Sequence, residues 1–291
     1  MEIMFIRTKR YECGDIYEEV DLIPRTAKGD SAVKGGRTKS KTVSKPAQRK
    51  LNDKNSRRHL RLLANGNFKE NDFMATFDYD NEFLPATVKA AEREIRNLID
   101  RYKRLRKREG VKEPLKYILV TEYKLEDTDG EEEIFSNRVH HHLILSGGIN
   151  RDLVEDLWAK KKKGQPKKRM GRANIRRLHF GDEGIVGLSN YITKARHGKK
   201  GSKRWSSSQN LIKPVMTPID GKFSARKVEA MANSNDLGRE ILEKEYPNHF
   251  ITRIEAEHSD ELGWRIYLKM RKKNSYGKRK KAESPNNKKW P

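Results

Sequence analysis

The chain has 291 residues, 36% of them charged and 34% hydrophobic, with a formal net charge of +24 at pH 7. That length can bury one good core with appended arms, and that charge points to a polyanionic partner, nucleic acid above all, without separating DNA from RNA. A single cysteine, Cys13, excludes an internal disulfide and a multi-thiolate zinc site; no apolar run approaches membrane-spanning length or forms a signal-peptide core, so a soluble cytoplasmic protein is expected.

Residues 3–24 read as a hairpin, with Cys13-Gly14-Asp15 in its turn and acidic residues interspersed on the return strand. Residues 26–49 are Gly, Ser, Thr, Lys and Arg with almost nothing to bury, either a solvated linker or a DNA-tracking arm. Helical character follows over 51–64, ending near Asn65-Gly66-Asn67. Residues 72–79 form the first core strand. The clearest helix comes next, with Pro85 near its start and Val88, Ala91, Ile95, Leu98, Ile99, Tyr102 and Leu105 as its apolar stripe. Its basic C-terminal end, including Arg104 and Arg106, complements the helix dipole. Residues 116–123 read as a strand joined by an acidic loop to a second strand over 139–145, an antiparallel hairpin.

Further on, Asn150 caps a short helix carrying Leu153, Leu157 and Trp158, and 175–180 is a strand. Asp182 caps a helix running through Ile192 to His197-Gly198. The loop after it, residues 198–208, is basic and hydroxylated, with Trp205 to stack on a base; Lys199, Lys200, Lys203, Arg204 and Ser207 are its candidate DNA contacts. Trp205 has a second reading, as an anchor of the loop to the core. Residues 223–246 are helical with a break at Asn233-Ser234-Asn235, two strands follow over 250–257 and 264–270, and 272–291 is a basic tail expected to be disordered. The resulting division is an N-terminal hairpin (1–25), a basic linker (26–50), one main domain (51–271) and the tail.

Two stretches carry the chemistry. In Val139-His140-His141-His142-Leu143-Ile144-Leu145, alternation along a strand puts His140 and His142 on one face, about 7 Å apart, and His141 on the other. Two imidazoles so fixed can converge on a divalent cation. In Tyr191-Ile192-Thr193-Lys194, a helix puts Tyr191 and Lys194 one turn apart on the same side. A metal, a phenol and an amine together point to attack on a phosphodiester. The bland alternatives are histidines that are structural or exposed, as His141 and His179 are read to be, and a Tyr191 that only packs.

With strand, histidine pair, later tyrosine helix and serine-rich loop in this order, the chain resembles the HUH endonucleases. It is most similar to their replication-initiator branch of rolling-circle phages and plasmids, in which the tyrosine follows the histidines. The resemblance runs from Phe73 to about Pro214 and rests on 73–77, His140-His141-His142, Trp158, 191–194 and 205–214. It implies an α+β fold: a ferredoxin-like core with a central antiparallel sheet flanked by helices, the histidine pair in a middle strand, and basic flexible arms outside. It also implies a third polar metal ligand from the neighbouring strand, for which Glu122 is the candidate, the alternative being a solvent-facing strand residue. Mg or Mn suits that mixed oxygen and nitrogen set.

Carried to these positions, the family's chemistry makes Tyr191 the nucleophile, leaving a 5′-phosphotyrosine and a free 3′ hydroxyl, with Lys194 on the phosphate. The implied partners are single-stranded DNA or an origin hairpin and a host helicase and polymerase, in a bacterial cytoplasm. One tyrosine in that helix departs from two-tyrosine relatives, and no Gly-x-x-x-x-Gly-Lys-Ser/Thr loop supplies a fused helicase. Competing expectations are a non-catalytic origin or single-strand binding protein, a hydrolytic metal nuclease, and a transposase-like strand transferase.

Overall fold

The computed structural model describes residues 4–31, 46–126, 135–161, 164, 166–181, 185 and 205–273. The architecture is mixed α+β, built on two five-stranded antiparallel sheets that belong to separate compact units, residues 35–214 and residues 1–34 with 215–291. Among the described residues no helix is long and apolar enough to cross a membrane.

In the first unit the sheet order is β8 (Ala173–Arg177), β3 (Phe73–Asp78), β5 (His140–Leu145), β4 (Tyr117–Glu122) and β9 (Ser206–Ser207). Both faces are covered, which is why β5 is buried almost continuously rather than at alternate positions. One face carries Phe73, Ala75, Phe77, Leu119, Leu143 and Leu145 and receives the stripe of α3 (Val88–Arg108) with Val154 and Trp158. Thr87 caps α3 by accepting from the Ala90 amide, 3.1 Å away. The other face carries Ile118, Val120 and Ile144 and receives Leu60, Leu63 and Ala64 of α2 (Pro46–Asn67). Asn150 caps α4 (Arg151–Glu155), as its position in the sequence predicts.

Two details lock the ends of the central strands. The guanidinium of Arg106, 4% exposed, donates to the carbonyls of Ser146 and Gly147 just beyond β5 and of Glu113 just before β4. Arg106 therefore has a specific buried role, unlike the exposed cations beside it. Gly171 lies against the end of β3, where the Asp78 amide donates to Arg172 O (2.9 Å) and the Asp80 amide to Met170 O (2.8 Å). A Cβ at Gly171 would stand 2.8 Å from Asp80 N and from Tyr79 Cα, and closer still to Asp78 O.

In the second unit the order is β10 (Val215–Asp220), β1 (Met4–Cys13), β2 (Tyr17–Thr26), β12 (Gly263–Lys272) and β11 (His249–Ser259). Two helices, α5 (Ala225–Ala232) and α6 (Arg239–Glu245), supply Val228, Met231 and Leu242 to a core with Val20, Leu22, Ile266 and Leu268. The expected helix break falls between them. A short helix, α1 (Ala27–Ser31), follows β2.

The chain thus divides differently from the sequence expectation. The N-terminal hairpin is not a separate element, and the strands placed at the end of a 51–271 domain pair with it: Leu22 stands opposite Ile266, and Val20 opposite Leu268. β2 is paired on both sides, so its backbone groups are satisfied within the sheet, and its Val20 and Leu22 enter the core beneath α5 and α6. The expected 26–50 linker also contains α1 and the first turn of α2; residues 32–45 and 274–291 lie outside the described residues.

Candidate metal centre

Antiparallel register builds the site. Glu122 on β4 stands directly opposite His140 on β5, and Val120 opposite His142, so Glu122 shares the face of both histidines. On the other side of β5, Asp78 of β3 is opposite His140 and Thr76 opposite His142. One carboxylate oxygen, Glu122 Oε2, lies 3.0 Å from His140 Nε2 and 3.3 Å from His142 Nε2. The two imidazole rings are 5.0 Å apart and nearly perpendicular. The three ligand atoms fall within 4.8 Å of one another, a group able to hold a metal ion. His142 is buried while Glu122 and His140 are about one quarter exposed, so the cluster is anchored at one end and open at the other.

The far nitrogens fix the rings. His140 Nδ1 is 3.3 Å from the Arg138 carbonyl, which can only accept, so the proton resides on Nδ1 and leaves the Nε2 lone pair for coordination. His142 Nδ1 is 3.1 Å from Thr76 Oγ1, whose hydroxyl can accept in the same way. In the tautomer with the proton on Nδ1, each Nε2 would turn its lone pair towards Glu122 Oε2. A cation there satisfies all three atoms, and the donor set fits one. Burial lowers the pKa of His142, and the neighbouring His140 adds to this; Glu122 and Asp78 oppose it. The ring is therefore neutral and competent to bind metal at neutral pH.

His141 points to the opposite face, as the alternation requires. It is fully buried, with Nε2 2.9 Å from Tyr79 Oη and Nδ1 2.9 Å from Thr121 Oγ1. Burial first, and then His140 and His142, push its pKa down to about 3. It is a neutral core histidine packed edge-on to Tyr79 and Trp158.

The remaining expected site residues fare unevenly. Tyr191 and Lys194, and the loop cations Lys199, Lys200, Lys203 and Arg204, lie outside the described residues. Trp205 is an anchor: its ring stacks on His59 of α2 (5.6 Å between centroids) and its Nε1 donates to Ser56 Oγ at 3.1 Å. Ser207 belongs to the edge strand β9, paired with Ile118, and the next residue exchanges bonds with Tyr117, so this part of the expected loop is strand. The backbone there is spent on the sheet rather than offered to phosphates.

Thr76 and Asp78 went unrecognised in the sequence. The signal was available, because a period of two over β3 puts both on one face, but which strand that face adjoins is a matter of register. Comparison of the chain with protein-family models, curated proteins and solved structures gives no match.

Proposed function

We propose that this chain is a divalent-metal-dependent enzyme that nicks and rejoins single-stranded DNA, of the HUH replication-initiator type. The reading rests on one observation above the others: Glu122, His140 and His142, from two paired strands, converge on one point with their second nitrogens already engaged. The basic composition supports a nucleic-acid substrate. Magnesium or manganese suits one carboxylate and two imidazoles in an open site.

A bound divalent cation would draw charge from a non-bridging phosphate oxygen and from the leaving 3′ oxygen. Glu122, His140 and His142 would hold it, with Thr76 and the Arg138 carbonyl fixing the two rings. Tyr191 is the proposed nucleophile: its phenolic oxygen bonds to phosphorus as the bond to the 3′ oxygen breaks, giving a 5′-phosphotyrosine and a 3′ hydroxyl that can prime synthesis. Lys194 would neutralise the phosphate. The phosphotyrosine link conserves the bond energy, so the reverse reaction rejoins a strand at termination. The role is initiation of rolling-circle replication of a phage, plasmid or related element in a bacterial cytoplasm, with unwinding and synthesis left to a host helicase and polymerase.

The test is a denaturing gel of the full chain incubated with labelled single-stranded oligonucleotides tiled across its own replicon, with Mn or with EDTA. A metal-dependent covalent adduct, absent in Tyr191→Phe, is expected. Binding without adduct at any oligonucleotide would sink the enzyme reading in favour of a binding protein. Metal-dependent cleavage that persists in Tyr191→Phe would instead identify a hydrolytic nuclease.

A further inference from the structure

We propose that Arg176, on the edge strand β8, and Arg172, immediately before it, form a phosphate-binding rail that carries the substrate single strand alongside the metal face; this deepens the proposed function and rests on it for the substrate. Register makes the case. Phe77 of β3 stands opposite Ala173, Thr76 opposite Asn174 and Met74 opposite Arg176, and the Asp78 amide donates to Arg172 O. Arg172 therefore continues the row of Asp78, His140 and Glu122, and Asn174 the row of Thr76 and His142. Side chains at 172, 174 and 176 share the face that carries the ligands. The row of Arg172 lies two strands from His140, or about 10 Å.

Partners distinguish this pair from the cations around it. Lys168 is paired with Glu82, Arg169 with Asp156 at 3.0 Å, and Lys160 with Glu94 at 2.5 Å. Arg172 and Arg176 are exposed, and neither meets a carboxylate among the described residues. Arg176 Nε donates instead to Asn174 Oδ1, 3.2 Å away, which leans the guanidinium along the strand towards the row of His142. Two exposed guanidiniums that meet no acid among the described residues, set about 13 Å apart along one edge on the metal face, are complementary to phosphates of an extended strand. Among the described residues no strand pairs with the outer edge of β8.

The experiment is equilibrium binding of a fluorescent, mixed-sequence single-stranded DNA to the full chain in EDTA, across a salt series. Native protein, Arg172→Gln/Arg176→Gln, and Lys103→Gln/Arg104→Gln on exposed positions of α3, which packs on the opposite sheet face, are compared. The rail variant is expected to bind about tenfold more weakly and to lower the magnitude of the log–log salt slope by about 1.4, the value for two lost single-strand phosphate contacts. The α3 variant should match native protein, and all three should bind Mn equally, which certifies the fold of the site. A salt slope unchanged in the rail variant, or the same loss in the α3 variant, overturns the proposal, and preference for an RNA strand of the same sequence overturns DNA as the occupant. Because the assay needs no metal and no cleavage, its outcome is separable from that of the adduct gel.

Discussion

Thr76→Val isolates the contact that orients His142, the more deeply buried member of the candidate metal centre. Valine keeps the shape and strand propensity of threonine while deleting the oxygen 3.1 Å from His142 Nδ1. His142 has a side chain only 4% exposed, so water replaces that oxygen poorly and the Nδ1–Oγ1 contact is lost in a buried setting. The cost to stability is about 1–3 kcal/mol. The effect on metal is larger in consequence, because the ring can now turn or carry its proton on Nε2, where it blocks coordination. Loss of an outer-shell partner of this kind lowers metal affinity about 10–100-fold, or about 1.4–2.8 kcal/mol.

Mn(II) titration followed by electron paramagnetic resonance measures the affinity directly, and a urea melt in EDTA measures the stability. Thr121→Val is the matched control. It deletes a hydroxyl 2.9 Å from His141, on the other face of the same strand, and should cost stability while leaving Mn affinity close to native. Native Mn affinity in Thr76→Val, or equal losses in both variants, would refute the argument that the tautomer of His142 is set by Thr76.

Two further outcomes follow from the same strands. Gly171→Ala would force a Cβ against the backbone of 78–80 at a φ of 153°, and should cost at least about 1–3 kcal/mol in a urea melt while weakening Mn binding, because the end of β3 that faces His140 must move. A variant as stable as native would show that the approach of 170–172 to β3 is not tight. His141, with its pKa lowered to about 3, stays neutral in the folded protein while it protonates near 6.5 when unfolded. Its contribution is thus full above pH 6.5 and is lost as pH falls towards 3, at up to about 1.4 kcal/mol per pH unit. Urea melts in EDTA between pH 7 and 4 should show a shallower dependence in His141→Phe, and identical slopes would remove His141 from the account.

The centre was legible because its determinants are local. A strand of period two, a second strand joined to it by an acidic loop and a carboxylate at the right place bring His140, His142 and Glu122 together whatever surrounds them. Thr76 and Asp78 escaped because strand β3 reaches β5 from some sixty residues away, and nothing in either strand announces the pairing. The N-terminal hairpin was legible, but its pairing with β10 and β12 escaped for the same reason, made worse by its acids. Glu18 has no exposed surface yet reads in sequence as a surface residue; it is tolerated only because Arg10 grips it and His249 Nε2 lies 3.1 Å from it, across more than two hundred residues of chain. The strand β10, exposed at every position, had no apolar period to reveal it.

Charge behaved in the opposite way: the sequence displayed it everywhere, and the fold removes much of it from consideration. Arg7 is held by Asp220, Arg10 by Glu18, Lys160 by Glu94, Lys168 by Glu82 and Arg169 by Asp156. A cation already paired with a carboxylate gains little by meeting a phosphate, since one charge-assisted contact is exchanged for another. In the proposed function the net charge of +24 would set long-range attraction to the polyanion, whereas the path of the strand would be set by cations that meet no carboxylate among the described residues and share a face with Glu122, His140 and His142. Among the described residues Arg172 and Arg176 satisfy both conditions, and the register of β8 on β3 separates them from the basic residues a few positions before them.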